Sequence, residues 1–172
     1  SISNCQKGLA GISFGNFLIK QVANDLNLEF KNLKKFITLS PVPGLRKWIK
    51  NKFPKFDLKL KKCLKPEHFI KVHDMIMNLA AQYLMTSDRL DGMPNDPVAR
   101  FHLGNGASLE QVNFLGDISP NGLSSSGGIM VNYLYNLDKL EENHELLVSE
   151  KKINISKQAK KDLLKYTKIL TK

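Results

Sequence analysis

Cysteine is scarce in this 172-residue chain, which carries only Cys5 and Cys63. Two thiols so far apart supply neither a disulfide framework nor the paired spacing of a zinc site. A reducing compartment is therefore expected, the cytoplasm or the mitochondrial matrix, with no targeting signal to choose between them. Long apolar runs are lacking too. None approaches the roughly 18 to 20 residues that a membrane helix needs, and no membrane partner is expected. A leading methionine is also absent, and Ser1-Ile2-Ser3-Asn4-Cys5 already reads as a strand entering a turn. The expectation is that residues upstream of Ser1 are missing.

Acidic residues are in the minority, 16 against 26 lysines and arginines, for a formal net charge of +10. The excess is uneven: nine basic residues lie between Arg46 and Lys65 against the single acid Asp57, and much of the rest lies between Lys151 and Lys172. No zinc, helix-turn-helix or RNA-recognition signature accompanies them, so a nucleic-acid partner is not expected. A solvated lysine face or a docking surface for a polyanionic cofactor remains. The length suits one core, and a single domain over residues 1–172 is expected.

Apolar residues at Phe14, Phe17, Leu18, Val22 and Leu26 predict a helix ending near Leu28, preceded by a strand and a glycine turn. Phe36-Ile37-Thr38-Leu39 predicts a second strand, parallel to the first because a helix joins them. A short helix follows with Leu45, Trp48 and Ile49. Residues 50–65, where lysine alternates with Phe or Leu, read as a surface loop or flap. A long helix is predicted from Pro66 with Phe69, Val72, Ile76, Leu79, Ala80 and Tyr83 on one face. Asp96-Pro97 caps a short helix through Leu103. Leu109 to Leu115 suggests a strand, residues 119–128 a loop or broken helix, and 129–135 a further strand. Ser156 caps a last helix with Leu163, Leu164 and Leu170.

Three segments bear on chemistry. Gly8-Leu9-Ala10-Gly11, between strand and helix, exposes backbone N–H groups that suit a pyrophosphate at a helix N-terminus, and Lys7 lies beside it. Ser40 ends a strand within Ser40-Pro41-Val42-Pro43-Gly44. His102 lies near a helix C-terminus within Phe101-His102-Leu103-Gly104-Asn105-Gly106-Ala107. Alone, that serine reads as a turn residue and that histidine as a helix cap. Their joint presence with the glycine turn suggests an enzyme acting on an acyl thioester. Asn105 suits either a hydrogen bond to a thioester oxygen or a left-handed cap. His68, His73 and His144 read as structural or solvent-facing, and Trp48 as core.

Gln6-Lys7-Gly8 resembles the pyrophosphate loop of GNAT-type acyltransferases, which bind coenzyme A. The match goes further. Ser1-Ile2-Ser3 with Gly8-Leu9, Phe14 to Lys20, Leu39 to Gly44, Asp96 to Ala107 and Asn132 to Tyr135 resemble, in order, the malonyl-CoA decarboxylases. The resemblance implies an α/β fold with a GNAT-like mixed sheet flanked by helices, lacking its first strands and the family's N-terminal helical domain. It implies conversion of malonyl-CoA to acetyl-CoA and carbon dioxide with no metal or prosthetic group, in a homo-oligomer when full-length. Ser40 matches the family's catalytic serine, a proton acceptor, and His102 its catalytic histidine, a proton donor. Ala10, Gly11, Ile12, Ser13, Phe14, Gly15 and Asn16 match its malonyl-CoA binding stretch, and Tyr135 a tyrosine near the active site. Two other classes stay open: an acyl-CoA-dependent acyltransferase and a non-catalytic fragment that binds coenzyme A or polyanions.

Overall fold

The computed structural model describes residues 14–33, 35–61 and 65–167, residues 14–17 by their backbone alone. Its described part is a small antiparallel sheet with helices around it, an α/β arrangement as expected. The expected first strand lies outside the described residues.

Helix α1 (Phe14–Glu29) forms where the spacing predicts it. It turns Ala23 and, partly, Ile19 inward, whereas Leu18 and Val22 of the predicted apolar face are exposed among the described residues. Strand β1 (Phe36–Pro41) follows, then helix α2 (Leu45–Lys52). The expected flap over residues 50–65 is instead helical in large part: α2 runs to Lys52, and α3 spans Pro54–Lys61. Lysine hides this in the sequence, because exposed lysines interrupt the apolar pattern while Leu60 is buried and Phe53 and Phe56 pack on the core. Arg46 reaches across from α2 to the buried Asp57 at 3.3 Å, tying the two helices.

The long helix expected from Pro66 is broken into α4 (Pro66–Ile70) and α5 (His73–Met85), with the interruption at Lys71 and Val72. Its apolar stripe survives the break: Phe69, Ile76, Leu79, Ala80 and Tyr83 are all buried. Helix α6 (Pro97–Gly104) starts on Asp96, whose carboxylate accepts from the N–H groups of Val98 and Ala99 at 2.9 and 3.0 Å. Strand β2 (Ser108–Asn113), helix α7 (Pro120–Ser126) and strand β3 (Met130–Tyr135) follow. After a 3₁₀ turn come α8 (Leu140–Glu150) and α9 (Lys157–Thr167), the latter capped by Ser156 Oγ accepting from Ala159 N–H at 3.1 Å. Leu163 of the expected stripe is buried, Leu164 is exposed and Leu170 lies outside the described residues. No described helix is long and apolar enough to cross a membrane.

β3 is the middle strand and pairs antiparallel with both neighbours, in the order β1-β3-β2. Register places Phe36, Thr38 and Ser40 opposite Tyr135, Tyr133 and Val131. Residues directly opposite share a face, so these six side chains line one side of the sheet. β2 joins them through Leu109 and Val112, three residues apart, because a bulge between Leu109 and Gln111 inserts one extra residue. The far edge of β2 is closed by the segment before α9, where Leu109 N–H donates to Asn154 and Ser156 N–H donates to Leu109, each at 2.9 Å.

Candidate active site

Ser40 and His102, 62 residues apart in the chain, meet on the inner face of this sheet. β1 aims Ser40 inward because side chains alternate along a strand, and Thr38 and Phe36 precede it on the same side. α6 carries His102 in its last turn and lays the ring over β3. Tyr133 stacks on the imidazole, with ring centroids 4.6 Å apart and planes 19° from parallel.

The polar atoms form one line. Ser40 Oγ lies 2.9 Å from His102 Nε2, and His102 Nδ1 lies 2.8 Å from the Tyr135 hydroxyl. Ser40 O–H donates to Thr38 Oγ1 at 3.1 Å. With the serine proton on Thr38, the consistent assignment is Nε2–H donating to Ser40 Oγ and Tyr135 O–H donating to Nδ1. A neutral imidazole has one donor and one acceptor nitrogen, and this line uses both.

Ser40 and His102 are each only 5% exposed. Burial pulls the imidazole from its ordinary 6.5 down to about 4, which leaves His102 uncharged at neutral pH. Burial also pushes the hydroxyls of Tyr133 and Tyr135 up, which keeps both protonated. The imidazole has a consequence for stability. Between pH 6.5 and 4 the unfolded chain binds the extra proton and the folded one does not, so stability is full above 6.5 and falls as pH drops towards 4. The loss amounts to about 3 kcal/mol for a shift of this size. Urea unfolding in steps from pH 7.5 to 4 measures it, and a His102→Gln variant is expected to show a flatter profile across that window.

Asp96 joins the start of α6 to the turn after β1. Besides capping α6, its carboxylate accepts from Gly44 N–H at 3.3 Å and from the Tyr83 hydroxyl at 3.4 Å. Gly44 has an ordinary φ of −82°, so conformational freedom is not why it is glycine. A Cβ there would lie 2.1 Å from the Tyr83 hydroxyl oxygen, and only glycine lets the tyrosine reach that place.

Of the expected site residues, the structure brings Ser40, His102 and Tyr135 into direct contact. Ala10, Gly11, Ile12 and Ser13 lie outside the described residues, and Phe14, Gly15 and Asn16 open α1. Asn105 is not a left-handed cap: its φ is −90°, its side-chain amide donates to the Phe101 carbonyl at 2.6 Å, and Gly106 takes the positive φ instead. His73 packs edge-on against Phe114, and His144 Nδ1 meets the Gly104 carbonyl at 2.7 Å, both away from the Ser40 line. Trp48 is half-buried against Phe53 and Tyr83, and its indole N–H donates to Asp88. Sequence reasoning missed Thr38 and Tyr133 and took Asp96 for a cap alone. Strand periodicity carries the first two, since each stands two residues before an expected site residue, Ser40 or Tyr135. Among the described residues no three His, Cys, Asp or Glu side chains gather as a metal cage.

A family model described as the malonyl-CoA decarboxylase C-terminal domain matches residues 1–171. A protein of Anser anser anser named "Malonyl-CoA decarboxylase, mitochondrial" is 34% identical over 191 aligned residues, covering 92% of this chain and 38% of that protein. The crystal structure of malonyl-CoA decarboxylase from Rhodopseudomonas palustris is similar with a TM-score of 0.82 and 46% identity, covering 94% of this chain and 40% of that one. The corresponding structure from Agrobacterium vitis gives 0.83 and 47%, covering 95% and 44%. The chain therefore spans less than half the length of these relatives.

Proposed function

We propose that this chain, which belongs to the malonyl-CoA decarboxylase C-terminal domain family, carries the proton-delivering site of an enzyme converting malonyl-CoA to acetyl-CoA and carbon dioxide. The observation that carries the reading is the continuous buried line Tyr135–His102–Ser40. Its chemistry suits the reaction. Breaking the bond between the α-carbon and the carboxylate releases carbon dioxide and leaves its electron pair on the thioester as an enolate, which must then gain one proton at carbon.

A neutral imidazole that surrendered its only proton would become imidazolate, which is costly. The substrate removes that difficulty. A malonyl carboxylate set beside the ring favours the charged imidazole, raising its depressed pKa so that His102 takes a proton from solvent as substrate binds. The imidazolium then gives the Nε2 proton to Ser40 Oγ as that hydroxyl passes its own to the α-carbon, and His102 returns to neutral. Tyr135 holds Nδ1 and so keeps Nε2 facing the serine, while Tyr133 holds the plane of the ring.

In this proposal the stretch Ala10 to Asn16, whose last three residues open α1, binds malonyl-CoA, and the pyrophosphate is taken by Gly8-Leu9-Ala10-Gly11, whose N–H groups, with the helix dipole, favour an anion. The fold is read as the later part of a GNAT-like sheet within a single catalytic domain. No metal or prosthetic group is assigned to the reaction, and the compartment is read as the mitochondrial matrix or cytoplasm. An acyltransferase on the same fold needs an acceptor amine, and a binding fragment turns nothing over. Malonyl-CoA incubated with the full-length protein and no acceptor is expected to yield acetyl-CoA and carbon dioxide in equal amounts; unchanged malonyl-CoA sinks the reading.

A further inference from the structure

We propose that Asp96 is a positioning residue that sets the separation of Ser40 and His102 by clamping the turn after β1 to the N-terminus of α6. The proposal rests on the reading of Ser40 and His102 as the reacting pair. A helix cap needs only one carboxylate oxygen and is commonly solvent-exposed. Asp96 is 1% exposed, and its two oxygens serve different segments. Oδ1 takes both N–H groups of α6, while Oδ2 takes Gly44 N–H and the Tyr83 hydroxyl. No ion pair to Asp96 occurs among the described residues, so these four donors face the desolvation of the carboxylate.

Each clamped end runs stiffly to one reacting side chain. Gly44 joins Ser40 through Pro41, the fully buried Val42 and Pro43, and each proline fixes its own φ. On the other side, Asp96 and His102 lie at opposite ends of one short helix. A shift at Oδ2 is therefore a shift between Ser40 Oγ and His102 Nε2. Tyr83 completes the fit, occupying the space that a Gly44 side chain would need.

Asp96→Asn separates the two duties. Asparagine caps helices about as well as aspartate, but its amide offers N–H donors where Gly44 and Tyr83 also donate. The titratable groups against the His102 ring are Tyr133 and Tyr135 from β3, with the Ser40 hydroxyl from β1; α8 sends His144 to the Gly104 carbonyl, and Asp96 lies at the other end of α6. A loosened clamp admits water to the ring, so its titration moves upward towards the ordinary histidine value.

The test is the pH titration of the His102 ring by NMR in the full-length protein with labelled histidines, alongside steady-state acetyl-CoA formation. In D96N the midpoint is expected to rise by a unit or more, with kcat down at least tenfold and KM within about twofold. An unmoved titration, or an unmoved kcat where the parent is active, overturns the clamp. Because the titration needs no turnover, a shifted D96N midpoint alongside a parent that leaves malonyl-CoA intact would sink the decarboxylase reading and leave the clamp standing. Should D96N fail to fold, Y83F decides: it removes one donor to Oδ2 and is expected to move the titration the same way by less, and no movement overturns the proposal.

Discussion

Replacing His102 by alanine is expected to lower kcat for acetyl-CoA formation by about 100- to 10,000-fold while leaving KM for malonyl-CoA within a few-fold. That range is what a positioned proton donor typically supplies. Most of the binding energy for a coenzyme A thioester comes from contacts remote from the reacting carbon, so truncating the donor should spare KM. The substitution removes the middle of the line: Ser40 Oγ loses Nε2 and the buried Tyr135 hydroxyl loses Nδ1. Steady-state assays with malonyl-CoA read the effect, with a melting curve to establish that the variant is folded. A folded His102→Ala protein with parental kcat would remove the imidazole from the chemistry.

Gly106→Ala is expected to cost roughly 3 kcal/mol or more of stability, whatever the chemistry does. Gly106 has φ of +81°, which an alanine enters only with strain, and a Cβ there would lie 2.0 Å from the backbone carbonyl oxygen of Leu140. Backbone cannot swing away as a flexible side chain can. The start of α8 or the end of α6 must therefore move, and with it the bond from the Asn143 amide to the Gly106 carbonyl, now 2.8 Å. Two residues earlier the sign reverses. A Cβ at Gly104 meets nothing within 4 Å, and Gly104 is the last residue of α6, where alanine is the better helix former. Urea midpoints of the two variants should fall on opposite sides of the parent; equal midpoints would contradict the packing described at the α6–α8 junction.

Elements whose local chemistry agreed with their tertiary role were legible in the chain. Asp96-Pro97 announces α6, Ser156 announces α9, and the strand-forming run at 129–135 is β3. What was hard to read had a competing physical cause. The alternation of β2 looks imperfect because its bulge places Leu109 and Val112 on one face at a spacing that belongs to neither a plain strand nor a loop. α3 was obscured by lysines. α8 went unseen because, between the buried Leu140 and Leu147, its sequence is mostly acidic and polar. Its contribution to the site's surroundings, the buried Asn143 on the Gly106 carbonyl, is a tertiary contact that no periodicity encodes.

The site divides in the same way. Ser40 and His102 stand out because two short motifs carry them, but each alone has an ordinary explanation as a turn or a cap. Their 2.9 Å contact depends on β1 and α6 meeting across β3, and on Asp96 serving both. Thr38 and Tyr133 are ordinary strand residues until the register sets them against that pair. The depressed imidazole is likewise a property of burial rather than of any residue adjacent in sequence.

The most direct measurement is mass analysis of the product when the full-length protein acts on malonyl-CoA in deuterium oxide. Delivery of one solvent-derived proton to the enolate predicts acetyl-CoA with one deuterium in its methyl group per turnover, alongside one carbon dioxide, and loss of both in His102→Ala. Malonyl-CoA recovered intact, or acetyl-CoA formed equally well without His102, would contradict the account.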